Sequence, residues 1–364
     1  MSWHGAKTNY TKKTKTKKQH EITMDTCPAV AIIVLNWNGF DDTVECLNSL
    51  SKNTYQNAQV VLVDNGSENK EGERLKELFP HIHLICNTTN RGFAGGNNDG
   101  INWALQKGYD FIVNLNNDCL VEPEWLSKLV LGLQSANADF ASSRIMYFPE
   151  TDLICSDGDV VLPDGSGRSK NQFKSFDNNL DNKIIFSACG AASIYSAECL
   201  KATNLNNNQF FDELYFAYFE DIDLGIRLCA KAFSGICVPE AVVYHKGSQS
   251  AGTRSYFTLF HLEKNRILNE VLNYPIWLIP IGESYYFAKT FLRRVTGTIT
   301  KKEAKRSVLE KQGKVSEFKV ILDSRKWLLR NIVTVWSMRR MRKAKGMVNN
   351  KILKQLYWQG IMTR

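Results

Sequence analysis

Apolar and polar positions along this chain fall into blocks that set out a β-α-β order. Val30 to Leu35 is a β-branched run of strand length, closed by Asn36-Trp37-Asn38-Gly39. Asp41 to Ser51 then places Val44, Leu47 and Leu50 on one helical face, with Asp41 or Asp42 able to cap it. Gln59 to Val63 predicts a second strand, ending in Asp64-Asn65-Gly66-Ser67; Lys70 to Phe79 predicts a second helix and Ile82 to Cys86 a third strand. Strands that alternate with helices pair in parallel through right-handed crossovers, so their carboxyl ends share one edge. Phe111 to Asp118 reads as a further buried strand that delivers Asn116, Asn117 and Asp118 to that edge, where open α/β sheets bind ligands. Asn and Asp are also favoured turn residues, so a plain turn explains the same triplet.

Before that strand lies Asn90-Arg91-Gly92-Phe93-Ala94-Gly95-Gly96-Asn97-Asn98, a glycine-rich turn leading into a helix through Trp103 to Lys107. Such a turn lets backbone N–H groups approach an anion, and the helix dipole adds to the attraction. It matches neither phosphate-loop nor dinucleotide fingerprint and follows the third strand, which argues against a dinucleotide-binding oxidoreductase. Glu122 to Gln134 predicts a helix with Pro123 near its start. Residues 150–183, rich in Asp, Asn, Ser, Gly and Pro, predict an insertion or mobile loop over the ligand edge. Ile184 to Cys189 resumes a strand, closed by the small residues Gly190-Ala191-Ala192.

From Phe211 to Leu224, aromatic and acidic residues interleave, and the sequence predicts a helix with Glu220 to Asp223 in its first turn. The helix dipole accounts for two carboxylates there. Three acids in four residues exceed what capping needs, and an aromatic setting would desolvate one and raise its pKa, as suits a general base. Ala241 to Tyr244 predicts a short strand ending in His245-Lys246-Gly247-Ser248, where an imidazole beside a carboxylate suits Mn²⁺ or Mg²⁺.

Charge is distributed unevenly over the 364 residues, whose formal net charge is +9. Residues 1–26 carry +4 and 289–364 carry +17, which leaves −12 for 27–288. An acidic body between basic ends points to a polyanionic partner, either nucleic acid or an anionic membrane leaflet. The first 26 residues also read as a disordered basic tail, without the apolar segment of a secretory signal. Nine cysteines show no C-x-x-C and no paired spacing, so they read as reduced thiols of a cytoplasmic protein rather than a zinc site or disulfide framework. No uncharged apolar run reaches membrane-spanning length; the nearest, Tyr274 to Leu292, contains Glu283 and Lys289 and suits an interfacial or core helix.

In this order, V-L-N-W-N-G (34–39), V-D-N-G-S (63–67), N-R-G-F-A-G-G-N-N (90–98), L-N-N-D (115–118), Y-F-A-Y-F-E-D-I-D-L (215–224) and Y-H-K-G-S (244–248) resemble the family 2 glycosyltransferases, and more narrowly their rhamnosyltransferase-like branch. The resemblance implies a GT-A fold, a Rossmann-like, mostly parallel α/β sheet flanked by helices, over 27–270. A basic amphipathic helical extension over 271–364 then either lies on an anionic membrane surface or packs on the catalytic domain. It implies an inverting, metal-dependent transferase. The positions that match its donor-binding motifs are Asn36, Asn38, Asp64, Asn90, Arg91, Gly92, Asn98, Asn116 and Glu220. Asp118 and His245 match the ligands of Mn²⁺ or Mg²⁺, and Asp221 matches the catalytic base. Asn116 departs from the D-x-D pattern and leaves the metal one carboxylate in that motif.

The implied donor is a nucleotide diphosphate sugar, dTDP-rhamnose first and UDP-galactofuranose or another UDP-hexose as the alternative. The implied acceptor is a glycan or lipid-linked saccharide of surface polysaccharide synthesis, with the enzyme cytoplasmic or peripheral on the cytoplasmic membrane face. A nucleic-acid-binding protein acting through the basic ends is the alternative of another class. It finds no recognised module here, and the acidic body argues against it.

Overall fold

The computed structural model describes residues 27–176, 184–247, 255–296, 316–348 and 350, so the tail expected over 1–26 lies outside the described residues. In chain order the elements that position the site are β1 (Val30–Asn36), α1 (Phe40–Leu50), β2 (Ala58–Asp64), α2 (Glu71–Leu78), β3 (His83–Cys86), α3 (Gly92–Lys107), β4 (Phe111–Asn116), β5 (Cys119–Val121) and α4 (Trp125–Ser135). They continue with β6 (Phe140–Tyr147), β7 (Ile154–Ser156), β8 (Asp159–Val161), β9 (Gly167–Ser169), β10 (Ile184–Ile185), β11 (Ala192–Ser196), α5 (Ala197–Thr203), α6 (Glu220–Ala230), β12 (Gly235–His245), α7 (Tyr256–Asn273) and α8 (Ile279–Thr296). Two further helices span Glu317–Arg330 and Ile332–Ala344.

The main sheet runs β10-β12-β6-β11-β4-β1-β2-β3. β3, β2, β1 and β4 are mutually parallel, as are β6 and β12, and β11 runs antiparallel between the two groups. β1 is apolar from Val30 to Leu35 because both of its faces are covered. Val30, Ile32 and Val34 pack with Leu47 and Trp125 on one face, Ala31 and Ile33 with Ala94 and Ile101 on the other. α3 lies so close to this strand that a Cβ on Gly100 would stand 2.5 Å from Ile33 Cγ2, which requires the missing side chain. The register pairs Asn36 with Asp64 and Leu35 with Asn116, so the polar strand ends line up on one edge.

Four expectations are corrected. The glycine-rich stretch is not a turn, because α3 begins at Gly92 and Gly95 and Gly96 lie inside it, where small residues bring the helix onto the sheet. Among its described residues, 150–183 holds strands: β7 joins the main sheet and β8 pairs with β9 in a hairpin. Strand structure after Ile184 lasts two residues, and Ala192 opens β11 instead of closing a strand. Asp41 and Asp42 sit inside α1, whose N-cap is Gly39.

Both C-terminal helices pack on α7, burying Val335 against Tyr215, Leu268 and Leu272. Arg342, fully buried, ion-pairs with Asp212 and Asp223 and donates to Asn273 Oδ1 at 2.7 Å. Among the described residues no helix is long and apolar enough to cross a membrane. Removing one partner of a buried ion pair leaves an uncompensated charge, so Arg342→Ala should lower unfolding free energy by about 3–5 kcal/mol. The exposed neighbour Arg340→Ala should change it by about 0.5 kcal/mol or less. Chemical denaturation of the two variants checks the contrast.

Candidate active site

A cavity of about 930 Å³ opens at the carboxyl ends of β1 and β4. Trp37, Asn38, Asn90, Gly92, Asn116, Asn117 and Asp118 line it from the sheet edge and the start of α3. Asp159 and Arg168 line it from the β8–β9 hairpin, Gly190 from the segment before β11, and Tyr218 to Asp221 from the entry to α6.

That entry is strained. Phe216, Tyr218 and Phe219 all have positive φ, between 64° and 72°, a conformation that costs non-glycine residues energy and collects at functional sites. α7 holds it in place. Asn265 Nδ2 donates to the carbonyls of Tyr215 (3.0 Å), Ala217 (2.7 Å) and Tyr218 (2.6 Å), and Lys264 Nζ donates to Leu214 O at 2.7 Å. From the other side Ala94 N–H donates to Phe216 O. Gly92 has φ +70° and no space for a Cβ, which would meet Phe216 O at 2.4 Å. Sequence pattern does not reach Asn265 or Lys264, because nothing local in α7 distinguishes them from core residues.

Asp221 is oriented by two backbone donors, Gly190 N–H to Oδ2 at 2.9 Å and Ile222 N–H to Oδ1 at 2.8 Å. Burial raises its pKa against the lowering effect of those bonds. Glu220 is 5% exposed and its Oε2 has no hydrogen-bond partner among the described residues; burial, then the neighbouring Asp221, pushes its pKa well up. Burial lowers the Lys264 ammonium to about 8, against the pull of Asp212 and Glu220.

At the other end of the cavity's carboxylate set, β12 pairs with β5 and brings His245 Nε2 to 3.1 Å from Asp118 Oδ1. Both atoms are buried, and among the described residues neither has a directed hydrogen-bond partner. Two orphaned ligand atoms, one anionic oxygen and one imidazole nitrogen, suit a divalent cation of the Mn²⁺ or Mg²⁺ kind, with ligand oxygens and water completing its shell. Cys119 completes the same cluster, but burial holds its thiol pKa well above the usual range, so it stays protonated.

Of the residues marked by the sequence, Asn38, Asn90, Gly92, Asn116, Asp118, Glu220 and Asp221 line the cavity, and His245 backs Asp118. Four others lie behind that lining. Asn36 is fully buried, with Nδ2 on Asp64, Ser67 and Glu71 and Oδ1 accepting from Thr43. Asp64 accepts from Asn36 and from Gly72 N–H. Arg91 pairs with Asp99 and Glu213, and Asn98 accepts from the N–H groups of Phe210 and Phe211. Each of the four makes internal bonds that tie one element to the next. Asn65 does similar work, joining Asn90, Arg91 and Gly92 beneath the cavity.

Residues 31–203 match the family model described as Glycosyl transferase family 2. The dTDP-rhamnosyl transferase RfbF of Shigella flexneri is 34% identical over 86 residues, 24% of this chain and 29% of RfbF. The low-salt glycan biosynthesis hexosyltransferase Agl10 of Haloferax volcanii is 25% identical over 253 residues, 66% of this chain and 74% of Agl10. The chain spans about a third or less of the length of the first curated relatives it matches. Among solved structures, GalNAc-T7 with UDP, GalNAc and Mn²⁺ superposes with a TM-score of 0.53 at 15% identity, covering 84% of this chain and 57% of that one. Over residues 31–203 the chain is therefore similar to the glycosyl transferase family 2 domain, and its fold is of the GT-A type.

Proposed function

We propose that this chain transfers a sugar from a nucleotide diphosphate sugar to an acceptor hydroxyl, with inversion at the anomeric carbon. The observation that carries the reading is one cavity lined both by Asp118, which His245 backs, and by a half-buried, backbone-oriented Asp221. Asp221 takes the acceptor's proton as the acceptor oxygen bonds to the anomeric carbon. The bond from that carbon to the diphosphate oxygen breaks, and the nucleoside diphosphate leaves with the electron pair. Asp118 and His245 would hold Mn²⁺ or Mg²⁺, which when bound neutralises charge on a leaving diphosphate. Exposed Trp37 at the cavity and the strand-end Asn38 and Asn116 offer a stacking face and amide bonds to the donor.

For the donor we favour dTDP-rhamnose, on the similarity to RfbF. A UDP-hexose is the second reading, supported by the longer match to a hexosyltransferase and by the fold shared with a UDP-binding structure. The acceptor is then a glycan or lipid-linked saccharide. The nine cysteines, all free thiols, fit a reducing, cytoplasmic setting.

The described C-terminal helices present Phe318, Leu322, Leu329, Val333 and Trp336 to the outside, interleaved with exposed Lys319, Lys326, Arg330 and Arg340. An apolar stripe with basic flanks suits the interface of an anionic membrane, and we assign it that partner. Sedimentation with vesicles should show binding when phosphatidylglycerol is present and little with phosphatidylcholine alone, and Leu329→Glu/Val333→Glu should abolish it. Equal binding of the double variant would remove the membrane partner.

Two measurements test the reaction itself. Thermal melting with dTDP, UDP or GDP should rise only with Mn²⁺ or Mg²⁺ present and only when Asp118 is intact, since selective binding to the folded state raises its stability. Asp221→Asn should keep that nucleotide response and lose turnover by about 10²–10⁴-fold, the usual worth of a general base. No response to any nucleoside diphosphate would overturn the reading.

A further inference from the structure

Asp159 is a buried carboxyl in the cavity wall that the reaction above leaves without a task. It begins the β8–β9 hairpin, in the part of the sequence where composition alone pointed to a loop. Its backbone is bridged to Ser187, with Asp159 N–H donating to Ser187 O at 2.8 Å and Ser187 N–H to Asp159 O at 3.2 Å. Ser187 Oγ in turn donates to Asp221 O at 2.6 Å, and Gly190 N–H holds Asp221 Oδ2. The same short segment thus fixes both carboxyl groups relative to each other. Their oxygens and the Cys189 sulfur all lie within 4.8 Å of one another. Over such a distance one hydroxyl oxygen bridges two carboxyl groups at ordinary hydrogen-bond lengths.

The surroundings decide the protonation of this pair. Facing Asp159 are Asp221 on α6, Cys189 before β11, Ser156 on β7 and Ser169 on β9; Glu220 stands beside Asp221, and exposed Arg168 lines the same cavity. Burial first, and then the like charge of Asp221, raises Asp159 to about 8. The Cys189 thiol is also driven well up by burial and stays protonated, which removes the third ligand that a cation here would need. Glu220 Oε2, buried and without a partner among the described residues, marks the same corner as built to receive a polar ligand.

We propose that Asp159 is a positioning residue that carries a proton and holds the acceptor hydroxyl against Asp221, donating a hydrogen bond to the oxygen whose own proton Asp221 removes. The inference rests on the proposed sugar transfer. In the step, Asp159 keeps its proton, Asp221 gains the acceptor's, and the acceptor oxygen uses its remaining lone pair on the anomeric carbon. An ionised Asp159 would both lose the donor and repel a charged Asp221, so activity should fall as pH rises through about 8.

The test is the pH dependence of nucleotide-sugar hydrolysis, with water in the acceptor's place and dTDP-rhamnose, UDP-galactofuranose and UDP-glucose as probes with Mn²⁺. Wild type should show a bell whose alkaline limb lies near 8. Asp159→Asn, whose amide still donates, should stay within about tenfold of wild type and lose that limb, whereas Asp159→Ala should lose more than about tenfold throughout. An unchanged alkaline limb in Asp159→Asn, or an Ala variant as active as wild type, would overturn the inference.

Melting temperatures give a readout independent of turnover. The folded state binds more protons at Asp159 than the unfolded chain between about pH 4 and pH 8, so this group costs stability increasingly as pH rises through that window. Asp159→Asn removes the cost. Its melting temperature relative to wild type should therefore climb from pH 5 to pH 8.5, and a constant difference would refute a proton held at Asp159. Absence of hydrolysis by wild type with every probe would instead remove the transferase reading and leave the melting result standing.

Discussion

Asp223 is a fully buried carboxylate, and much of the molecule is arranged to keep it satisfied. An ion out of water costs several kcal/mol unless charges and donors match it closely. Arg227 reaches it from one turn along α6, Arg342 from the helix Ile332–Ala344, Asn273 from α7 at 2.9 Å and Tyr215 from the aromatic segment at 3.3 Å. Burial alone would raise its pKa; the two guanidinium groups outweigh that and hold it down at about 2. The stabilising charge is thus fully present above the ordinary carboxylate range and is lost only as pH falls through about 2. Since Asp223 lies two residues from Asp221, the same contacts fix the start of α6 and with it the direction of the proposed base. This makes the basic C-terminal region a structural part of the site, in addition to any role at a surface.

Opposite demands meet at that helix start. Asp223 is neutralised by cations, whereas buried Glu220 and Asp159 and half-buried Asp221 are left in a mutually repelling group whose pKa values all move upward. Such a group destabilises the fold, as do three aromatic residues at positive φ immediately before it. The Asn265 amide and the Arg342 network offset those costs from behind. Proteins concentrate unfavourable local choices at working sites and compensate for them elsewhere.

The sequence was most legible where a regular pattern is enforced by burial. Strands β1, β2 and β4 are read from continuous apolar runs because helices cover both faces, and the polar residues that end them mark the cavity edge. The acids of α6 stood out because they exceed what a helix start needs. Asn36, Asp64, Arg91 and Asn98 were marked by residue type alone, and their bonding inside the protein is legible only in the structure, because the residue types that bind ligands also knit loops together. β11 and the β8–β9 hairpin were hidden for another reason. Their strands are three to five residues long and are held by distant pairing, so composition registers only the turns between them. Asp159 was lost with that hairpin.

The proposed reaction is a single displacement at the anomeric carbon with Asp221 as the base. Proton NMR of the first sugar released from a nucleotide sugar, recorded before mutarotation, reports the configuration directly. The released sugar should be the anomer opposite to that of the donor, with Asp221→Asn suppressing its formation. Release of the donor's own anomeric configuration would require two displacements and contradict it.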